Sequence, residues 1–269
     1  MEYSREHLAS QKTLKRYIDE KINPHVDEWE AAEIFPAHEV FKGLGDLGLL
    51  GLTKPEAYGG MGLDYSYSML MAETLGYIDC GGVPMAIGVQ TDMCTPALAR
   101  FGSEELKREF LAPAIAGDMV GCIGVSEPAA GSDLQGVKST AIQQPDGSYL
   151  LNGSKTFITN GWHADLVVVV AKTNPGAGAK GTSLLLVERG MPGFEKGKRL
   201  KKLGLKAQDT SELFFDNVRV PAENLLGGPA MEKRGFICLM EQLPWERLQI
   251  AIQAVAAAQA GAPSPAATS

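Results

Sequence analysis

The stretch Ile123-Gly124-Val125-Ser126-Glu127-Pro128-Ala129-Ala130-Gly131-Ser132-Asp133 divides the chain into two kinds of sequence. Before it, apolar residues recur at helical spacing; after it they fall in short β-rich runs separated by turns. The stretch reads as a strand over residues 122–125 that ends in Ser-Glu-Pro and passes into a Gly-Ser-Asp turn. Small residues at that point let backbone N–H groups come close to an electron-rich group. Taken alone, a strand followed by a Pro/Gly turn is more often only a turn.

A second strand-and-turn stretch follows, Lys155-Thr156-Phe157-Ile158-Thr159-Asn160-Gly161. Alternation along a strand puts Phe157 and Thr159 on one face, where a flat ring system can lie against the phenyl ring and meet the hydroxyl. A half-buried hairpin strand is the plainer alternative.

Outward from these stretches the periodicity changes. Towards the N-terminus, Leu8, Leu14, Tyr17, Ile18 and Ile22 predict an amphipathic helix over residues 5–22 that Pro24 ends. Val40, Phe41, Leu44 and Leu47 predict a second, and residues 65–77 and 83–101 read as buried helices. Ser103 reads as an N-cap, with Glu104 and Glu105 in the first turn and Leu106, Phe110, Leu111 and Ile115 on one face. Towards the C-terminus, eight β-rich runs are expected at 122–126, 139–143, 149–151, 155–159, 166–172, 182–188, 212–215 and 218–220, with Pro145-Asp146-Gly147-Ser148 as a hairpin connection. No alternating helices are present to make this a Rossmann unit. From Glu232 the pattern is helical again, with an interruption at Pro244, where a new helical turn would open with Glu246 and Arg247 in it. The end of the chain is an Ala/Gly/Pro/Ser tail that builds no core.

The expected fold is therefore α+β and multi-domain. It has an N-terminal all-helical domain over 1–120, a middle antiparallel β-sandwich or barrel over 121–230, and over 231–269 the first helix of a further helical domain plus the tail.

Composition sets the outer limits. The 269 residues are 45% hydrophobic and 21% charged, enough for a sizeable core, and a net charge of −7 gives no general attraction to nucleic acid or to an anionic membrane. Cys80, Cys94, Cys122 and Cys238 form no Cys-x-x-Cys pair, which argues against a zinc site and for four buried, reduced thiols. His7, His25, His38 and His163 are scattered, without ligand spacing, and read as surface or capping residues; no metal is expected. No run of about 18 apolar residues marks a membrane span, and no transit or secretory segment is visible. The loop Asn174-Pro175-Gly176-Ala177-Gly178-Ala179-Lys180-Gly181-Thr182 fails the phosphate-loop spacing.

The two strand-end turns in this order, together with Leu243-Pro244-Trp245-Glu246-Arg247-Leu248, resemble the acyl-CoA dehydrogenase family, and the likeness runs from the first residues to about Ala256. The long-chain and isovaleryl-type members carry their base in a Glu-Arg-Leu of this helix, so the resemblance implies that Glu246 is the catalytic base. It also implies FAD, held by residues 123–132 and by Phe157, Ile158 and Thr159. An acyl-CoA substrate would be contacted by Ser132, Ala179, Lys180, Ile237, Pro244, Trp245 and Arg247. In most members the Phe157 position is tryptophan. Residues 202–213 match the long-chain pattern and are expected to shape the edge of the β domain. The implied reaction is α,β-dehydrogenation to a 2,3-enoyl-CoA, with an electron-transfer flavoprotein as acceptor and a homo-oligomer as the family habit. The implied compartment is the mitochondrial matrix, or the cytoplasm in a bacterium. Family members continue through a C-terminal four-helix domain, so a shortened form that is catalytically weak, or that pairs with full-length subunits, is the alternative expectation.

Overall fold

The computed structural model describes residues 3–262; the tail expected after Gly261 falls, from residue 263 onward, outside the described residues. Ten α-helical segments are named here: α1 (Arg5–Tyr17), α2 (Val26–Ala32), α3 (Ala37–Asp46), α4 (Tyr65–Leu75), α5 (Gly82–Gly88), α6 (Thr95–Phe101), α7 (Glu104–Leu106), α8 (Ala112–Ile115), α9 (Gly228–Met231) and α10 (Gly235–Gly261). Several are pieces of longer helical runs. Wider π-type turns at Ile18–Ile22, Val89–Cys94 and Lys107–Leu111 join α1 towards α2, α5 to α6 and α7 to α8. Such a turn rotates the side chains that follow it, and it is often found at functional sites.

Ser103 caps α7 as its sequence predicts, its Oγ accepting from the N–H of Leu106 at 3.2 Å. Ser103→Ala is expected to cost about 1 kcal/mol, the ordinary value of such a cap, measured as a lower urea midpoint with an unchanged slope.

Seven strands follow: β1 (Gly121–Gly124), β2 (Thr140–Gln143), β3 (Tyr149–Thr159), β4 (Leu166–Lys172), β5 (Thr182–Glu188), β6 (Phe194–Arg199) and β7 (Thr210–Val220). The expected eight runs are corrected in two ways. Runs 149–151 and 155–159 are one strand, as are 212–215 and 218–220, and the intervening residues bend the strand instead of breaking it. The register of β3 on β7 shifts at Leu151/Gly153 and again at Lys155/Ile158. β6, Phe-Glu-Lys-Gly-Lys-Arg, was not expected as a strand; it is charged and pairs along one side only, with β7, so its side chains need no apolar alternation.

Pairings within the sheet are mostly antiparallel, with β1 and the first residue of β2, Thr140, lying parallel to β4. β4 is an unbroken apolar run because both its faces are covered. Val167, Val169 and Ala171 join the core inside the sheet with Cys122, Leu151, Leu185 and Leu213. Leu166, Val168 and Val170 face the helices, against Leu98, Phe110, Leu111 and Ile115. A third core fills the helical part around Leu14, Ile18, Phe41, Leu44 and Ile87.

Polar side chains fix how the layers meet. Gln90, fully buried on the π-type turn, donates to the carbonyls of Ala114 (3.1 Å) and Met119 (2.9 Å) and accepts from Gly121 N–H at 2.7 Å, so it places the start of β1. Within residues 202–213, Lys206 and Ala207 are tied to the helical part. Lys206 and Ala207 donate their N–H groups to the Glu30 carboxylate on α2 at 3.1 and 2.9 Å, and Ala207 sits in the helical core.

Three further expectations are corrected. Pro244 does not open a new helix: it lies inside the continuous α10, on an exposed side where the carbonyl of Met240, deprived of its partner, can be solvated. His163 is not a surface residue; it is largely enclosed, and burial followed by the nearby His38 and Lys196 pushes its pKa down to about 4. Cys80 is only half-buried, whereas Cys94, Cys122 and Cys238 are buried free thiols.

Candidate active site

A cleft of about 510 Å³ lies between the sheet and α10. Its sheet wall is built from the two stretches singled out in the sequence: Ile123, Val125, Ser126, Gly131 and Ser132 from the first, and Phe157, Ile158 and Thr159 from the second. Its helix wall carries Leu239, Leu243, Glu246 and Arg247, at the spacing of one α-helical face, and Val89 and Met93 close the floor. A groove of similar size, about 500 Å³, runs between the α4–α5 turn and the second half of α10. Its titratable groups, Tyr77, Asp79 and Cys80, share one short loop and, among the described residues, have no acid or base opposite them.

The first turn is held by a buried ion pair. Lys155 is 1% exposed, and its Nζ donates to the Glu127 carboxylate (2.7 Å) and to the carbonyls of Val125 (3.1 Å) and Val170 (2.6 Å). Glu127 also accepts from the N–H groups of Lys138 and Ser139 at 2.6 and 3.0 Å. Glu127 and Ala130 exchange backbone hydrogen bonds at 2.9 and 3.0 Å, which folds residues 127–130 into a closed turn. The turn therefore divides its labour. Ser126, Gly131 and Ser132 reach the cleft, Glu127 and Ala130 face inward to support it, and Gly124, Pro128 and Ala129 do not line the cleft.

In the second stretch simple alternation does not hold. Phe157 has φ +59° and sits at the bulge in β3, so its ring stands 70% exposed above the strand while Ile158 is buried. A β-branch-free residue tolerates this conformation at a cost, and such outliers concentrate where a side chain must be presented. Phe157 and Thr159 still line the same cleft. Gln208 Nε2 donates to Thr159 Oγ1 at 3.0 Å, which orients the hydroxyl.

Glu246 is half-buried across the cleft from these turns. Burial, and then the negative charge of Asp92, push its pKa up to about 7, against the opposing charge of Arg247. A carboxyl that exchanges its proton near neutrality in an apolar cleft is equipped for general base work. The remaining residues implied by resemblance lie elsewhere. Ala179 and Lys180 are on the loop Pro175–Gly181, Ile237 and Pro244 are on exposed parts of α10, and none of the four lines the cleft. Trp245 turns to the opposite side, where its Nε1 donates to Asp92 at 3.0 Å and its ring packs on Tyr65 at 4.6 Å. Sequence reasoning missed Asp92, Gln90 and Gln208, which are buried polar residues with no motif around them. A polar residue within the otherwise apolar 83–101 stretch is the signal for Gln90 and Asp92; Gln208, outside it, carries none.

The cleft fits a flat, partly polar ring. Apolar side chains cover its floor, an exposed phenyl ring stands at its rim, and a Cβ built on Gly131 would meet no atom within 4 Å, leaving the backbone there open to approach.

The acyl-CoA dehydrogenase N-terminal domain matches residues 4–118 and the acyl-CoA dehydrogenase middle domain matches residues 122–218. The chain is 46% identical over 261 residues to the mitochondrial long-chain specific acyl-CoA dehydrogenase of Sus scrofa, covering 96% of this chain and 59% of the pig protein. Among solved structures, an acyl-CoA dehydrogenase from Geobacillus kaustophilus superposes with a TM-score of 0.90 at 42% identity, over 96% of this chain and 67% of that one. An acyl-CoA dehydrogenase complexed with FAD from Bacillus anthracis superposes at 0.88 with 32% identity, over 95% and 42%. The chain spans about three fifths of the length of the curated relatives it matches. With matched models over most of its helical and β parts, and a sheet and last helix that superpose on solved members, the chain belongs to the acyl-CoA dehydrogenase family.

Proposed function

We propose that this chain carries the flavin and thioester site of an FAD-dependent acyl-CoA dehydrogenase, which converts a fatty acyl-CoA to its 2,3-enoyl-CoA and passes electrons to an electron-transfer flavoprotein. One observation carries the reading: a carboxyl with a pKa near 7 faces two strand-end turns across an apolar cleft. FAD binding in the superposed Bacillus anthracis structure supports the choice of cofactor.

Ser126, Gly131 and Ser132 on one turn, with Phe157, Ile158 and Thr159 on the other, are the residues that would hold the isoalloxazine. FAD, when bound, supplies the acceptor for the hydride that leaves Cβ of the thioester. Glu246 takes the proton from Cα, and the apolar lining keeps water away, so that its carboxylate stays basic. Arg247, on the same helix face, supplies positive charge beside it and the rim of the substrate channel.

The experiment is a titration of the purified chain with FAD, followed by addition of acyl-CoA. A bound yellow flavin that bleaches is expected, with a bleaching rate that rises with pH through about 7 as Glu246 loses its proton. Chain that stays colourless after FAD addition, or flavin that binds but never bleaches, would refute the assignment.

A further inference from the structure

Behind the helix wall lies a buried polar cluster that the proposed chemistry does not use. Asp92, on the π-type turn Val89–Cys94, is 8% exposed, and three side chains of α10 converge on it. Gln242 Nε2 donates to its carbonyl (2.8 Å), while Trp245 Nε1 and Gln249 Nε2 both donate to Oδ1 (3.0 Å each). Thr91 Oγ1 satisfies Oδ2 at 2.6 Å. Gln242, Trp245 and Gln249 fall at i, i+3 and i+7 and so share one helix face; Leu239, Leu243 and Glu246 share the neighbouring face, which lines the cleft. The turn is equally two-sided, since Val89 and Met93 meet the cleft floor while Asp92 points at α10.

We propose that Asp92 is a positioning residue for Glu246: by gripping Trp245 and Gln249 it sets the rotation of α10 that turns the adjacent carboxyl into the cleft. This deepens the base assignment above and rests on it. A buried carboxylate is a costly anchor, and a neutral residue that holds the same two donors would serve packing as well. What the charge adds is electrostatic. The charged and titratable groups around Glu246 are Asp92 from the turn, Lys54 behind it, Cys94 on the same turn, Arg100 and Glu241 at the upper end of the cleft, and Arg247 on its own helix. Lys54 Nζ is taken up by the Thr91 carbonyl at 2.8 Å, and Arg100 is paired with Glu241 at 3.0 Å. Burial pushes the Asp92 carboxyl itself up, while the charge of Lys54 and the hydrogen bonds from Thr91, Trp245 and Gln249 oppose the rise; Asp92 in turn raises Glu246, and Arg247 lowers it.

Asp92→Asn keeps an oxygen for Trp245 and Gln249 and removes only the charge. With glutamate labelled by carbon-13 at its side-chain carboxyl, and the Glu246 signal assigned by its loss in Glu246→Gln, the titration is read by NMR on the full chain without flavin or substrate. In Asp92→Asn the Glu246 midpoint is expected to fall by on the order of one pH unit. In Trp245→Phe, which retains Asp92 but breaks one of its grips, the Glu246 signal is expected to broaden or split as the carboxyl samples more than one orientation. A Trp245→Phe signal identical to that of the unaltered chain overturns the positioning role, and a midpoint unchanged in Asp92→Asn overturns the part assigned to the charge. Neither outcome depends on whether flavin is reduced, so a failed dehydrogenase assay and a failed positioning role are told apart.

Discussion

Replacing Glu246 by glutamine is expected to slow flavin reduction by acyl-CoA by roughly 10²–10⁴-fold, the usual contribution of a positioned general base, while flavin uptake stays as it was. Glutamine keeps the volume and the polar end of the side chain, so α10 retains its packing. What it lacks is a lone pair basic enough to accept the Cα proton. The residual rate should also lose its pH dependence, because the group that titrates at about 7 is gone. Stopped-flow absorbance at the flavin band separates the two effects, with binding read from the amplitude and proton removal from the rate. A variant that bleaches within a factor of three of the unaltered chain would remove Glu246 from the mechanism.

The second large effect concerns stability. Lys155→Met is expected to destabilise the chain by about 3–5 kcal/mol, because it leaves the Glu127 carboxylate buried with no counter-charge. Burial pushes that carboxyl up, but the hydrogen bond and charge of Lys155, with the N–H groups of Ser139 and Lys138, outweigh burial and hold it below its ordinary value. The pair's contribution is therefore fully present above the ordinary carboxylate range and is lost as the pH falls through the depressed pKa of Glu127. The variant has the opposite slope: an unpaired buried carboxyl binds its proton more tightly than in the unfolded chain, so acidification restores part of what was lost. Urea unfolding at several pH values measures both. Adding Glu127→Gln to Lys155→Met should recover much of the loss, since no charge is then stranded. A loss below 1 kcal/mol in the single variant would show that the pair does not hold the turn.

The sequence exposes some of this and hides the rest for physical reasons. The helical part is readable because Leu14, Ile18, Val40, Phe41 and Leu44 bury one stripe of each helix, and that is a periodic demand. β4 is readable as an apolar run, since both its faces are covered. β6 is not, because its charged side chains leave no apolar alternation, Lys196 and Arg199 reaching backbone carbonyls elsewhere, and its backbone takes its conformation from β7. Continuity of α10 across Pro244 is equally hidden, because Gln242, Trp245 and Gln249 hold the helix from outside it. In the cleft, Ser126, Phe157 and Thr159 were visible as strand-end turns. Glu246 was visible only by resemblance, since a Glu-Arg neighbour pair is ordinary on a helix surface. Trp245 was expected in the cleft on the same grounds and lies behind it, because its indole N–H has a buried acceptor on the far side.

The two walls of the cleft hang from different layers. The turns of the sheet wall are anchored by Lys155 and Glu127, while α10 is fastened to α4 and to the Val89–Cys94 turn, with Gln249 also reaching the Ser68 carbonyl at 3.3 Å and Ala256 packed against Gly76. One residue of slip along a helix moves a side chain by about 1.5 Å and turns it by about 100°, which exceeds the tolerance of proton transfer. Bulk added at Gly76, where a Cβ would run into Ala256, or a shift of the Ser68 carbonyl, more than 150 positions upstream in the chain, would thus act as a change of focus on the reacting atoms, much as a loosened mount spoils a lens that is itself unscratched.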